Sequence, residues 1–274
     1  MTELNGNEGS GVRDVTFEGV WCVFEHRSGQ LVHALQDVSF TVPAGQFVAV
    51  VGRSGHGKTT MLRVLAGLQP PTAGQVTLGE SVVTGPSVER SMVFQQDTVF
   101  PWMDVRDNVE FSLKSQGSTK DIRRETSDQR LEDVGLTDFA DSWPRELSGG
   151  MRKRVALAAV MASGSKVWLM DEPFGSLDYF TRRSLHDLLI NLWNESNMTI
   201  FFVTHDIEEA LILADRVMLV RDGKLVEDIE VSLPRPRDED VRATPEAVAL
   251  SKTILDHLGI REDEIVPELR GDSN

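Results

Sequence analysis

The stretch that most constrains how this chain can fold is Val48 to Leu65, VAVVGRSGHGKTTMLRVL. Val48, Ala49, Val50 and Val51 run without a break into Gly52, and beyond Lys58 the apolar residues Met61, Leu62 and Leu65 recur at helical spacing. The order is strand, glycine loop, helix. The loop reads G-x-x-x-x-G-K-T from Gly52 to Thr59, a pattern with a physical mechanism. Gly52, Gly55 and Gly57 can take positive φ and leave no side chain in the way, so successive backbone N–H groups can turn inward around a polyphosphate. Lys58 adds a charge for β and γ oxygens, Thr59 offers a hydroxyl to Mg²⁺, and the helix start contributes its positive dipole end. Arg53, Ser54, His56 and Thr60 complete the expected nucleotide-binding run.

Composition narrows the partners. The 274 residues suit roughly one or two domains at ~150 residues each, and 40% apolar residues allow a sizeable core. A net charge of −15 argues against a nucleic-acid footprint and against adhesion to acidic lipid, both of which need a basic face. No apolar run approaches the ~20 residues of a membrane helix, and Met1 to Asp14 lacks the basic-then-apolar pattern of an export signal, so a cytosolic protein is expected. The one cysteine, Cys22, permits neither an internal disulfide nor a thiolate cage, and the six histidines show no ligand spacing.

Along the chain, residues 1–13 read as a polar, disordered tail. Val15 to Phe24 and Leu31 to Val42 read as β segments, then Pro43-Ala44-Gly45 turns into the strand before the loop. Gln75 to Leu78 and Ser81 to Val83 suggest a short antiparallel excursion, and Ser91 to Phe94 another strand ending at Gln95-Gln96. From Asp104 to Ser163 the pattern is helical, with Val105, Val109 and Leu113 on one face, and this block is expected to be an inserted subdomain over about 96–165. Val167 to Met170, Thr199 to Val203 and Val217 to Val220 alternate with helical stretches, as in a parallel sheet. In the tail 238–274, Thr244 and Pro245 suit N-cap and N1, Ala247, Leu250, Ile254 and Leu258 share a face, and Gly259 follows. The acidic Glu262-Asp263-Glu264 reads as solvated surface.

Two further motifs carry chemistry. Val167 to Glu172 sets two carboxylates at the end of a buried strand, where Asp171 can hold Mg²⁺ directly or through water and Glu172 can orient and deprotonate an attacking water. Leu147-Ser148-Gly149-Gly150-Met151 places a serine and two glycines before a helix, a second anion-receptive helix start that is also sensible capping chemistry. Two such starts with a single lysine-bearing loop leave the second available to another chain's nucleotide.

These residues resemble the ATPase subunit of an ATP-binding cassette (ABC) transporter. In that family's terms Gly52 to Thr59 is similar to Walker A, Gln95 to the Q-loop glutamine, Leu147 to Met151 to the signature, and Val167 to Glu172 to Walker B. Ser176-Leu177-Asp178 is similar to the D-loop and His205 to the switch histidine, all in family order from about Phe24 to Val220. The resemblance implies an α/β P-loop NTPase of ABC type over residues 14–237, with a mostly parallel core sheet, an antiparallel β subdomain and an inserted helical subdomain.

It also implies Mg²⁺-dependent ATP hydrolysis in a dimer of two copies, with Glu172, His205 and Gln95 catalytic, Thr59, Gln95 and Asp171 at the metal, and Ser148, Gly149, Gly150 and Met151 contacting the partner's nucleotide. Asp178 lies in the D-loop. Phe24 matches the adenine-stacking aromatic, with Trp21 a competitor. Phe100-Pro101-Trp102 falls where the family receives a coupling helix of the permease, the alternative being packing within the helical block. Met151 replaces the family's usual glutamine, and phenylalanine stands where tyrosine is commoner. FQQDTVFPWMDVRDNV, LSGGMRKRVALA and VEDIEVSLPRPR are similar to the nitrate, sulfonate and taurine importer subgroup. That implies a permease on the cytoplasmic face of the inner or plasma membrane and, indirectly, an extracytoplasmic solute-binding protein. A soluble ABC ATPase acting on nucleic acid or ribosomes is the rival, weakened by the acidity and by the lack of a long coiled coil or second cassette.

Overall fold

The computed structural model describes residues 13–95, 99–237 and 239–259. Of the expected tail over 1–13 only Arg13 is described, where it pairs with Glu89; residues 1–12, Gln96 and the acidic run Glu262 to Glu264 lie outside the described residues.

The chain begins with β1 (Val15–Glu25), β2 (Leu31–Val42), β3 (Phe47–Val51) and α1 (Lys58–Leu65), followed by β4 (Ala73–Leu78), β5 (Ser81–Val82) and β6 (Arg90–Val93). Helices α2 (Val105–Ser115), α3 (Lys120–Asp133) and α4 (Gly149–Ala162) come next. Then β7 (Val167–Asp171), α5 (Tyr179–Ser196), β8 (Thr199–Thr204), α6 (Ile207–Leu213), β9 (Arg216–Arg221), β10 (Lys224–Glu230) and α7 (Pro245–Leu258) complete the described strands and α-helices.

Two sheets form. An antiparallel sheet is ordered β2-β1-β4-β5, and a second is ordered β10-β9-β3-β8-β7-β6, parallel throughout except for β10. Its strands β3, β7 and β8 are buried on both faces, which is why they read as unbroken apolar runs. Val48 and Val50 of β3 join a core with Met61 and Leu65 of α1 and the antiparallel sheet. Ala49 and Val51, with opposite parity, join a second core with Val105 and Val109 of α2, Val155 of α4 and Leu185 of α5. Each of the valine, leucine and methionine side chains contributes ~1.5–3 kcal/mol when fully buried.

Local signals set several boundaries. Asp104 caps α2 by accepting from Asp107 N at 2.7 Å. Thr244 accepts from Ala247 N at 3.3 Å, Pro245 opens α7, and Gly259 closes it at φ 67°. Strand β10, absent from the sequence reading, pairs antiparallel with β9 through an Asp222-Gly223 turn at φ 51° and 76°.

Topology then places the chemistry. Val51 pairs with Thr204, Asp171 with Val203, and Val93 with Met170. The parallel strands β3, β8, β7 and β6 are adjacent and end at one edge. Gly52, His205, Glu172 and Gln95 each follow one of those ends, the position where open α/β sheets hold ligands.

Candidate active site

The phosphate loop curls around its own lysine. Lys58, 5% exposed, donates from Nζ to the carbonyls of Gly52 at 2.7 Å and Arg53 at 3.1 Å. Burial lowers its pKa, opposed by the charges of Glu172 and Asp171. Gly57 caps α1 at φ 103° with no side-chain cap, so the first N–H groups of the helix are left to a ligand.

One expectation about this loop needs correction. Gly55 and Gly57 do take positive φ, at 82° and 103°, but Gly52 does not. Gly52 is glycine for space: a Cβ there would lie 2.2 Å from the Val220 carbonyl oxygen of the neighbouring strand β9. Gly52→Ala is therefore expected to destabilise the fold by about 1–3 kcal/mol, the usual cost of overpacking against backbone. Urea unfolding of the purified variant measures it, and an unchanged midpoint would refute the steric account.

Beside the loop, Thr59 donates its hydroxyl to Asp171 Oδ1 at 3.0 Å. Asp171 is 8% exposed. Burial raises its pKa, and the Thr59 hydrogen bond holds the rise in check. The pair presents hard oxygen donors, and among the described residues no group of three or more His, Cys, Asp or Glu side chains forms a complete metal cage.

Glu172 turns the chain at φ 45°, a left-handed conformation that costs a non-glycine residue of order 1–3 kcal/mol and concentrates at functional sites. Its N–H donates to Val203 O at 3.0 Å, which holds the strained turn against β8. The turn delivers Oε2 to 3.2 Å from His205 Nδ1 and 3.4 Å from Gln95 Nε2. These residues lie far apart in sequence and meet only through the sheet order. Gln95 therefore faces Glu172 here, whereas the sequence reading placed it at the metal as well. Lys153 of α4, overlooked in the sequence, donates to the Gln95 carbonyl at 2.9 Å and fixes that segment. A lysine in the middle of an alanine-rich helix gives no sign of its target.

The second helix start is placed elsewhere. Ser148 accepts from Met151 N at 3.2 Å, capping α4, and its hydroxyl proton can still donate. Gly150 lies so close to α5 that a Cβ would meet the Thr181 methyl at 2.4 Å. Asp178 caps α5 by accepting from Thr181 N at 3.1 Å, and the Thr181 hydrogen bonds lower its pKa. The start of α4 at Gly150 and the capped start of α5 thus meet at Thr181. His56, within the loop, accepts from Asp222 N at 3.3 Å through Nδ1.

Of the two aromatic candidates near the start, Trp21 is half-buried edge-on to His33 at 6.3 Å, and Phe24 is 40% exposed. At the entry to the helical block, Phe100 packs on Phe111 at 4.7 Å while Trp102 is 67% exposed. Asn108 shapes this turn. It accepts from Phe100 N at 2.7 Å and donates to the carbonyls of Phe100, Met103 and Asp104. Beside it lies a cavity of about 190 Å³ lined by Met92, Phe100, Phe111, Val155 and Ala159 among others.

Comparison with known proteins gives consistent results. Residues 35–175 match the family described as ABC transporter. The chain is 43% identical over 250 residues to the nitrate import ATP-binding protein NrtD of Synechocystis sp., covering 88% of this chain and 94% of that protein. It is 43% identical over 249 residues to the taurine import ATP-binding protein TauB of Roseobacter denitrificans, covering 89% and 93%. A dimeric ATP-binding cassette solved in a post-hydrolysis state with ADP and Pi superposes with a TM-score of 0.72 at 28% identity, covering 80% of this chain and all of that one.

Proposed function

The chain belongs to the ABC transporter family, and from that premise we propose that its ATP hydrolysis powers import of a small solute through a membrane permease. The solute carries an anionic oxygen group, as nitrate, a sulfonate or zwitterionic taurine does. The observation that carries the solute class is the 43% identity to the nitrate and taurine import proteins across nearly their full length.

The chain is an ATPase, and the arrangement of its own residues supports a specific division of labour. The loop Gly52 to Thr60 holds the triphosphate, with Lys58 turning from its carbonyl partners to the β and γ oxygens. The Thr59 hydroxyl and Asp171 carboxylate suit Mg²⁺, which favours one or two carboxylates completed by phosphate oxygens and water. A magnesium ion held there would supply charge neutralisation for the phosphate oxygens. Glu172 accepts a proton from the water that attacks the γ-phosphorus as the bond to the ADP oxygen breaks. His205 and Gln95 hold the Glu172 carboxylate and the water in line. Phe24, more open than Trp21, stacks on adenine.

Ser148 and Gly150 of a second copy close over the γ-phosphate. ATP therefore binds the closed dimer better than the open one, the differential affinity a nucleotide-driven motion requires. Residues about 96–165 carry that motion to the permease, as a unit docked through the open face of Trp102 beside the Phe100–Phe111 cavity. No described helix is long and apolar enough to cross a membrane. The likeness to import proteins supports a permease holding the chain at the cytoplasmic face of the inner or plasma membrane. A solute-binding protein delivers the solute to the opposite face.

The test is reconstitution with the permease and binding protein in vesicles, where ATP is expected to drive uptake of nitrate, a sulfonate or taurine. Trp102→Glu is expected to weaken co-purification with the permease by about 30-fold or more, the loss typical of an aromatic anchor. Undiminished co-purification would move the docking surface elsewhere. Stimulation by ribosomes or nucleic acid, with no uptake, would favour the soluble-ATPase reading.

A further inference from the structure

Beneath the turn that carries His205 lies a buried polar chain that the hydrolytic chemistry does not touch. His186 on α5, Glu209 on α6 and Thr204 at the end of β8 are 8%, 7% and 2% exposed. His186 Nε2 lies 2.7 Å from Glu209 Oε1, and the Thr204 hydroxyl donates to Glu209 Oε2. The same hydroxyl oxygen accepts from Asp206 N at 3.0 Å. Residues 204 and 206 are thereby pinned to one oxygen atom, and the residue between them is His205. Asp206 also accepts from Glu208 N at 3.0 Å and Glu209 N at 3.1 Å, which welds the turn to the start of α6.

The contrast with His205 itself is informative. Its side chain is 62% exposed and reaches Glu172 Oε2 at 3.2 Å. An exposed imidazole holds one orientation only if its backbone is held, and here the holding is done from below. Burying a carboxylate in this way costs folding free energy that well-packed apolar residues would avoid.

Resting on the role given to His205 above, we infer that Thr204, Glu209 and His186 are positioning residues for it. They fix the turn so that the imidazole meets Glu172 and the water it activates, and they themselves touch neither substrate nor that water. Since Asp178 caps α5, the same chain ties the His205 turn to the helix whose start is proposed to face the second copy.

The test compares Thr204→Val, which keeps the shape and loses both hydrogen bonds, with Thr204→Ser, which restores them. Thr204→Val is expected to lower kcat by about 10-fold or more with KM for ATP within about threefold, since small misplacements near reacting groups cost up to ~10²-fold. Thr204→Ser should return kcat to within about threefold. In a His205→Ala background Thr204→Val should change the residual single-turnover rate by less than about twofold, because the group it positions is gone. Should Thr204→Val fail to fold, Thr204→Ala carries the same comparisons. His205→Ala at the wild-type rate would sink the reading of the switch histidine and this inference together. His205→Ala impaired with Thr204→Val at the wild-type rate overturns the inference alone, as does an equal loss from Thr204→Val with and without His205.

Discussion

Glu172→Gln retains ATP binding and turns over at least ~10² to 10⁴-fold more slowly, the range for losing a general base. The geometry makes the substitution selective. Glutamine matches glutamate in size, so it can occupy the same left-handed backbone position and keep contacts to His205 Nδ1 and Gln95 Nε2, now 3.2 and 3.4 Å from Oε2. What it cannot do is accept the water's proton. Equilibrium binding of ATP, which depends on the loop and Lys58, is expected to stay within about threefold, and closed dimers should accumulate because the terminal phosphate is not removed. Phosphate release measured under saturating Mg-ATP decides the matter. A rate within tenfold of the native chain would exclude Glu172 from the role and move the search for the base to His205.

How much of this was legible before the structure depends on whether a signal is local. Strands β3, β7 and β8 are buried on both faces, so their apolar runs announce them. The α7 boundaries follow from Thr244, Pro245 and Gly259 acting on their immediate neighbours. Strand β10 was missed because KLVEDIE is charge-rich and half-exposed on a sheet edge, and only the Asp222-Gly223 pair marks the hairpin. Gly52 needs no positive φ, only the absence of a side chain, because its neighbour is a carbonyl on β9 that lies 168 residues further on.

The contacts among site residues were not legible from spacing at all. Gln95 and Glu172 are 77 positions apart, and Glu172 and His205 are 33. They converge because β6, β7 and β8 are neighbours in the sheet, a fact of topology. Family resemblance supplied the list of residues; it did not supply the strained φ at Glu172, the Lys153 contact to Gln95, or the Glu209 chain. Those arise from side chains whose partners come from other elements, and a single residue such as Lys153 carries no mark of where it will donate.

Ser148→Arg is expected to abolish ATP-induced dimers while leaving ATP binding by the single chain intact, and to lower turnover by roughly 10²-fold or more. Arginine alone would leave the cause ambiguous, because it also removes the cap on α4, worth ~1 kcal/mol. Ser148→Asp separates the two effects. Aspartate caps a helix as well as serine and suits the positive end of the helix dipole, so α4 and its packing against Thr181 should persist. In the closed dimer proposed above, however, it would set a carboxylate against the partner's γ-phosphate, and a like-charge juxtaposition across an interface costs several kcal/mol. Light scattering in the Glu172→Gln background, where closed dimers should otherwise accumulate, is the measurement. Both variants should scatter as single chains at saturating Mg-ATP. If Ser148→Asp dimerises as readily as the parent, its serine does not face the second nucleotide, and each chain must be surrounding its triphosphate without help from the other.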